Sequence, residues 1–182
     1  MADHAALVAS ARSGDRTALA RLLSVVERGG RPAHEVGRVV YPLAGAGYTV
    51  GLTGAPGAGK STLTSAVVAT VRGRGERIAV LAIDPSSPYT GGAILGDRVR
   101  MQEHARDPGV FIRSMASRGH SGGLAAATRD AAAVLAGTGF DLVLVETVGA
   151  GQGEVAVAGL VDTTVVVEAP GMGDEVQALK AG

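Results

Sequence analysis

The sequence contains no cysteine and no asparagine, and lysine occurs only at positions 60 and 180. Without cysteine there can be no disulfide, no thiolate nucleophile and no cysteine-ligated metal. No run reaches the roughly 20 apolar residues that span a bilayer, and the first residues lack the basic segment and apolar stretch of a secretory signal. These absences predict a cytoplasmic protein with no membrane partner.

Charge of either sign is not in excess, because 17 acidic residues balance 17 basic ones. Affinity for nucleic acids depends on clustered positive charge, so the composition gives no reason to expect a nucleic-acid partner. The 182 residues are 46% hydrophobic, which is sufficient to fill the core of one ordinary domain. We therefore expect one domain, alone or with a short extension.

Residues 1–46 are predicted to form an N-terminal helical extension. Apolar side chains recur there at helical spacing in three stretches, which are 5–9, 19–26 and 36–43. Glycine-containing segments at 14–15 and 29–32 are expected to break the helices. We interpret the extension as packed beside a larger domain, and an arm that binds a partner is the alternative.

Residues 47–182 are predicted to form the larger domain, in which short apolar runs alternate with helical patterns. The predicted strands are 48–53, 78–83, 142–145 and 163–167. The predicted helices are 60–74, 92–106 and 122–137. Runs that are apolar on both faces suit strands covered by helices on both sides. We therefore predict an α/β fold, with a mainly parallel sheet flanked by helices and a ligand crevice at the carboxyl ends of the strands.

The most specific motif is the glycine-rich stretch that follows the first predicted strand. It reads Gly-Ala-Pro-Gly-Ala-Gly-Lys-Ser-Thr and matches the phosphate-binding pattern G-x-x-x-x-G-K-[ST]. In this pattern backbone N–H groups surround phosphate oxygens, Lys60 reaches the β- and γ-phosphates, and Ser61 ligates Mg²⁺. A strand-to-helix turn without a ligand is the alternative. We predict a P-loop nucleoside-triphosphatase fold, with nucleotide-binding residues Gly54, Ala55, Pro56, Gly57, Ala58, Gly59, Lys60, Ser61 and Thr62.

Three acidic residues are candidates for a metal site beside this loop. Glu146 ends an apolar run and can hold Mg²⁺ or its water opposite Ser61, or it is a solvated acid at a strand end. Asp84 also ends a predicted strand, and it can serve the metal or accept the proton of a nucleophile. Asp97 follows a glycine-rich stretch that suits a loop closing over a γ-phosphate, with helix capping as the alternative.

Two later glycine-rich loops have the composition of segments that sense phosphate. The N–H group of Gly149 could bond the γ-phosphate, and Gln152 or Glu154 could place the attacking water. The segment 171–175 follows the last predicted strand and is a third candidate. For both loops a plain connection is the alternative.

Basic and histidine residues elsewhere are interpreted as structural or exposed. Arg113, Arg118 and His120 are expected to be solvated loop side chains, with a contact to a partner or a phosphate as the alternative. The other histidines lack the spacing of metal ligands, so we expect no histidine metal site.

Five motifs in order resemble those of one family. They are Gly-Ala-Pro-Gly-Ala-Gly-Lys-Ser-Thr (54–62), Asp-Pro-Ser-Ser-Pro (84–88), Gly-Gly-Ala-Ile-Leu-Gly-Asp-Arg (91–98), Glu-Thr-Val-Gly (146–149) and Gly-Met-Gly-Asp-Glu-Val-Gln-Ala-Leu-Lys (171–180). The sequence is similar through these motifs to the methylmalonyl-CoA mutase-associated GTPases, the MeaB or ArgK family, over about residues 1–182.

The resemblance implies a GTP-binding and GTP-hydrolysing chaperone that protects, loads or reactivates an adenosylcobalamin-dependent methylmalonyl-CoA mutase. The implied catalytic residues are Lys60, Asp84, Glu146 and Gln152. The implied Mg²⁺ ligands are Ser61, Asp84, Asp97 and Glu146. The segments 149–156 and 171–180 would be switches that contact the mutase, and the mutase would itself hold the cobalamin.

The sequence departs from the family's pattern in two respects. Because there is no asparagine, the guanine-recognising N-K-x-D motif is absent, and this chain gives no basis for preferring GTP over ATP. Members of the family also continue past residue 182 into a dimerisation arm, so we expect a truncated chain that forms a homodimer only if that arm is present. Two alternatives stay open, a P-loop kinase or ATPase acting on a small molecule or a transport-related protein, and a truncated non-catalytic binding fragment.

Overall fold

A computed structural model of the chain describes residues 4–84, 104, 106–116, 121–147 and 159–169. The helices in this part of the chain are α1 (His4–Arg12), α2 (Arg16–Arg28), α3 (Gly30–Val40), α4 (Lys60–Gly73) and α5 (Ser121–Gly137), with a 3-10 helix at Tyr41–Ala46. The strands are β1 (Tyr48–Gly54), β2 (Ile78–Asp84), β3 (Val110–Ala116), β4 (Leu142–Thr147) and β5 (Thr163–Val167). No helix among these residues is long and apolar enough to cross a membrane.

The described strands form one parallel sheet in the order β3-β2-β4-β1-β5. Strand β4 lies between β1 and β2, so the chain that leaves β1 through α4 passes over β4 before it reaches β2. The carboxyl ends of β1 and β4 are therefore neighbours, although about 90 residues separate them along the chain. Such a change in strand order is where α/β sheets form ligand crevices.

Alternate residues of the strands pack into hydrophobic cores on opposite faces of the sheet, as a period of two requires. On one face, Val68 and Val71 of α4 pack against Val80 and Leu144. The core of the other face joins strands β2, β3 and β4 to helices α2, α3 and α5, and its largest fully buried members include Leu22, Leu23, Leu81 and Leu135. Apolar residues on both faces of β2 and β4 are what strands covered on both sides require.

Helices α1, α2 and α3 contribute to the same core as α5. Asp15 caps the N-terminus of α2, because its carboxylate accepts the N–H groups of Thr17 at 2.8 Å and Ala18 at 3.1 Å. The bond from Ala18, with one from the Ser10 hydroxyl, holds the pKa of Asp15 below its ordinary value.

The break expected at 29–32 is shorter than predicted, since α3 begins at Gly30 and a proline in the first turn is compatible with a helix. The division of the chain at residue 46 stays a prediction.

The parallel sheet flanked by helices confirms the predicted α/β class. All four predicted strands are present, and none ends more than two residues from its expected position. The helices expected at 60–74 and 122–137 are α4 and α5. The helix expected at 92–106 lies outside the described residues, except for His104 and Arg106, which the structure places in turns.

Strand β3 was not predicted, and the interpretation of Arg113 as a solvated loop side chain is wrong. Arg113 lies within β3, and its Nη2 donates to Glu27 Oε2 at 2.7 Å and to Ser24 Oγ at 3.0 Å, both on α2. Its side chain is 20% exposed, and that of Glu27 is 11% exposed. The ion pair satisfies the charge of Arg113 on the face of the sheet that α2 covers. Arg118 and His120 lie outside the described residues.

Candidate functional site

The glycine-rich loop begins where β1 ends, and its first glycine is required by its surroundings. Gly54 has φ +137°, and a Cβ atom at this position would clash with the backbone carbonyl of Val167 on the adjacent strand β5. Gly57 and Gly59 also have positive φ values, 82° and 98°. These conformations are readily available only to glycine, so the motif's glycines occupy the positions that need them.

Lys60 is the first residue of α4 and turns back into the loop. Its side chain is buried, and its Nζ donates to the carbonyl oxygens of Gly54 at 2.6 Å and Ala55 at 2.9 Å. These bonds tie the end of the loop to its beginning. The ammonium group and the N-terminus of α4 therefore place positive charge at the same point, the carboxyl end of β1.

Glu146 projects from the neighbouring strand β4 towards α4. It pairs in register with Leu52 of β1 and Ala82 of β2, and it is 2% exposed. Its Oε1 accepts the hydroxyl of Ser61 at 2.9 Å, and its Oε2 accepts the hydroxyl of Thr64 at 2.9 Å. The interpretation of Glu146 as a solvated acid at a strand end is therefore wrong.

The structure brings three of the predicted site residues together: Lys60, Ser61 and Glu146. Thr64 is a fourth member that the sequence analysis did not identify. The available signal was its position three residues after Ser61, because residues at i and i+3 lie on one face of a helix. The neighbouring residues of the motif are more open, since Pro56 and Thr62 are exposed.

The oxygen atoms of this cluster fit a small hard cation. A serine hydroxyl and a carboxylate are the kinds of ligand that Mg²⁺ takes from proteins, usually with water and substrate phosphates completing the shell. The part of the chain that the structure describes contains no group of three or more acidic or histidine side chains able to hold a metal. Ser61 and Glu146 would thus form a partial shell, of the kind that Mg²⁺ uses beside phosphates.

The sequence of the chain has counterparts in known proteins. A family model described as methylmalonyl Co-A mutase-associated GTPase MeaB matches residues 19–182. The chain belongs to this family. The MeaB resemblance that the five motifs indicated is thereby confirmed.

Relatives of this chain carry GTPase descriptions. A protein of Pyrococcus abyssi, provisionally described as a GTPase, is 55% identical over 176 residues, which are 97% of this chain and 54% of that protein. The GTPase ArgK of Escherichia coli is 41% identical over 176 residues, or 94% of this chain and 53% of ArgK. The chain therefore spans about half the length of these curated relatives.

A solved structure supports the fold of this chain. The crystal structure of an LAO/AO transport system kinase matches it with a TM-score of 0.71 and 32% identity, over 92% of this chain and 50% of that one. This likeness confirms the predicted P-loop nucleoside-triphosphatase fold.

The remaining predicted site residues of the MeaB motifs lie wholly or partly outside the described structure. The backbone of Asp84 ends β2, where it pairs with Ala116 of β3, but its side chain is not among the described atoms. Asp97, Gly149 and Gln152 lie outside the described residues. Their predicted roles stay predictions.

Proposed function

We propose that this chain binds GTP together with Mg²⁺ at residues 54–62 and hydrolyses the bond between the β- and γ-phosphates. The observation that carries the proposal is the contact between Ser61 and the buried Glu146, in the first turn of the helix that Lys60 begins. A hydroxyl, a carboxylate and an ammonium group beside a glycine loop suit a magnesium nucleotide. Membership of the MeaB GTPase family supports the same activity.

The described residues would act by binding and orienting the phosphates. Backbone N–H groups of the loop and of the first turn of α4 would donate to phosphate oxygens, as helix N-termini commonly do. Lys60 would turn its ammonium group from loop carbonyls towards the phosphates, and Ser61 and Glu146 would hold Mg²⁺. The metal, when bound, neutralises negative charge on the phosphate oxygens.

The hydrolytic step needs residues that deliver a water molecule. The water oxygen would bond to the γ-phosphorus while the bond to the bridging oxygen breaks, which yields GDP and inorganic phosphate. We assign Gln152 to the orientation of this water and Asp84 to the acceptance of its proton. Asp97 would complete the metal shell, and the Gly149 N–H would sense the γ-phosphate. These four assignments rest on the sequence motifs.

GTP turnover in three variants tests the activity. Lys60→Ala and Glu146→Gln should each lower phosphate release by at least about 100-fold, because each removes charge aimed at the phosphates or the metal. Glu76→Gln is the matched control, since Glu76 is exposed in the connection that follows α4, and its rate should stay within about twofold of the wild type. Undiminished turnover in both site variants would refute the mechanism. Competition between GTP and ATP would measure the preference of the chain for guanine or adenine. This preference is an open question because the chain has no N-K-x-D motif.

We further propose that the chain acts on an adenosylcobalamin-dependent methylmalonyl-CoA mutase, which would hold the cofactor while this chain protects, loads or reactivates it. The family's description as mutase-associated supports this partner. Residues 47–182 would form the GTP-binding unit and residues 1–46 its helical extension. Co-purification with the mutase should differ among the nucleotide-free, GDP-bound and GTP-analogue-bound states. Equal recovery in all three states would eliminate a nucleotide switch.

A kinase is the second candidate function, because the matching solved structure is described as a transport system kinase. A kinase would pass the γ-phosphate to an acceptor hydroxyl or side chain instead of water. Incubation with γ-labelled GTP or ATP and a cell extract distinguishes the two. Label found in a metabolite or protein would favour the kinase, and label found only in inorganic phosphate would favour the hydrolase.

A further inference from the structure

Thr64 lies in the stripe of buried side chains that α4 turns towards the sheet. The buried residues of this helix are Lys60, Thr64, Val68 and Val71, which form one stripe facing the sheet. Thr64 is 0% exposed. A buried hydroxyl is costly unless it is hydrogen-bonded, so threonine in place of the similarly shaped valine calls for a partner.

The partner of Thr64 is unusual for a helical hydroxyl. Serine and threonine in helices commonly bond to the carbonyl four residues earlier, and two residues of α4 do so. Ser65 donates to the Ser61 carbonyl at 3.1 Å, and Thr70 donates to the Ala66 carbonyl at 2.8 Å. Thr64 instead donates across to Glu146 Oε2 at 2.9 Å. Its hydroxyl therefore links the helix to the carboxylate at the end of β4.

The two hydroxyls that contact Glu146 differ in their access to the ligand side of the site. Ser61 lies in the first turn of α4 at the loop, is partly exposed, and contacts Oε1. Thr64 lies one turn deeper, is fully buried, and contacts Oε2. When Ser61 turns to a metal and phosphates, the bond from Thr64 can persist, because its oxygen is enclosed between helix and sheet.

We propose that Thr64 is a positioning residue, which holds Oε2 of Glu146 so that Oε1 stays directed towards Ser61 and the magnesium position. This inference rests on the proposed nucleotide and Mg²⁺ binding. Thr64 itself touches neither ligand. Its hydroxyl restricts rotation of the Glu146 carboxylate before the metal arrives, and a carboxylate held in one orientation binds a metal with less loss of freedom.

The test measures the Mg²⁺ concentration that gives half-maximal binding of a fluorescent GDP to the full 182-residue chain. Thr64→Val removes the hydroxyl at nearly constant shape and should raise this concentration about tenfold, as expected for a lost hydrogen bond to a charged group. Thr64→Ala should give a similar increase, and Thr64→Ser should stay within about twofold of the wild type. Thr70→Val is the matched control on the same helix, and it should leave the value unchanged.

GDP affinity in EDTA is the second measurement, and it should be the same in all Thr64 variants. A shift seen equally with and without Mg²⁺, or in Thr70→Val as strongly as in Thr64→Val, would overturn the proposal in favour of general destabilisation. Retention of the wild-type Mg²⁺ dependence by a folded Thr64→Val or Thr64→Ala would also overturn it. If Thr64→Val does not fold, the contrast between Thr64→Ala and Thr64→Ser gives the answer.

Ser61→Ala separates a failure of this inference from a failure of the proposed function. If Ser61→Ala raises the Mg²⁺ requirement and the Thr64 variants do not, Thr64 has no positioning role while the proposed metal site stands. If Ser61→Ala also leaves the Mg²⁺ dependence unchanged, or if the wild type binds no nucleotide, the proposed function fails and this inference fails with it.

Discussion

The two ends of the parallel sheet both place cations against backbone carbonyl groups, but the surroundings of those cations differ. At the carboxyl end, Lys60 donates to two carbonyls of the loop 54–60, whose glycines adopt positive φ values. At the amino end, Arg12 and Arg77 donate to carbonyls at and just after the C-terminus of α5. Arg77 also lies over the ring of Phe140, 4.4 Å from its centroid.

This difference separates a role in stability from a role in binding. Arginines at helix C-termini satisfy carbonyls that lack helical partners and interact favourably with the helix dipole. At the carboxyl end, by contrast, Ser61 donates to the buried Glu146, and Lys60 donates to carbonyls of a glycine loop of restricted geometry. Such an arrangement suits a ligand that replaces some of these contacts, so we expect substitutions at the two ends to have different effects.

The largest expected effect is that of Gly54→Ala at the carboxyl end. The new methyl group would clash with the backbone of β5, and φ +137° is unfavourable for alanine. We expect the free energy of unfolding to fall by about 3 kcal/mol or more, together with loss of nucleotide binding. Urea denaturation and a binding titration would measure both.

Gly109→Ala is the matched control at the amino end. There the atoms nearest to the new methyl group would be those of the Arg72 guanidinium, the mobile end of a long side chain. Displacement of Arg72 would break its partly exposed ion pair with Asp107, so we expect a much smaller fall in the free energy of unfolding than for Gly54→Ala. Equal losses of unfolding free energy in Gly54→Ala and Gly109→Ala would contradict the view that only the carboxyl end requires a glycine.

Replacement of a basic residue by methionine, Lys60 at the carboxyl end and Arg77 at the amino end, is expected to have the next largest effect. Lys60→Met should weaken nucleotide binding by about 100-fold or more, because it removes charge-assisted bonds to phosphate. Arg77→Met should leave nucleotide affinity within about twofold and lower the free energy of unfolding by about 1 kcal/mol, through lost carbonyl and ring contacts. Loss of binding in Arg77→Met without unfolding would show that the two ends are coupled.

The local patterns of the sequence were sufficient for most of the fold. A short motif identified the glycine loop, and short apolar runs identified the strands β1, β2, β4 and β5. Both kinds of signal depend only on adjacent residues. Strand β3 was missed because its apolar residues 110–112 are followed by Arg113. That charge is tolerated through Glu27, which lies 86 residues earlier in the chain. A pattern of neighbouring residues therefore could not indicate this ion pair.

The residue types of the site and the placement of Glu146 opposite Ser61 were predictable, but the contact of Thr64 was not. Lys60, Ser61 and Glu146 stand at positions where a motif or a strand end indicates their chemistry. Thr64 matches no motif, and its spacing from Ser61 indicates only a shared helix face. Its partner Glu146 lies 82 residues away, and the pairing depends on β4 lying beside β1. From the sequence alone, a threonine on a helix could equally bond a backbone carbonyl of its own helix, as Thr70 does.

The smallest expected effect concerns Asp107 at the amino end. Its carboxylate accepts Arg72 Nε at 2.8 Å and the N–H of Gly109 at 2.7 Å, and these bonds, that of Arg72 above all, lower the pKa of Asp107. A lowered pKa in the folded state adds stability above the unfolded pKa of about 3.9, and this contribution is lost as the pH falls through the folded value. The difference in unfolding free energy between wild type and Asp107→Asn should therefore be constant near neutral pH and shrink below about pH 4. Urea denaturation of both proteins between pH 7 and acidic pH would measure this difference in unfolding free energy. A difference that widens on acidification would refute a stabilising role of the Asp107 carboxylate at the amino end of the sheet.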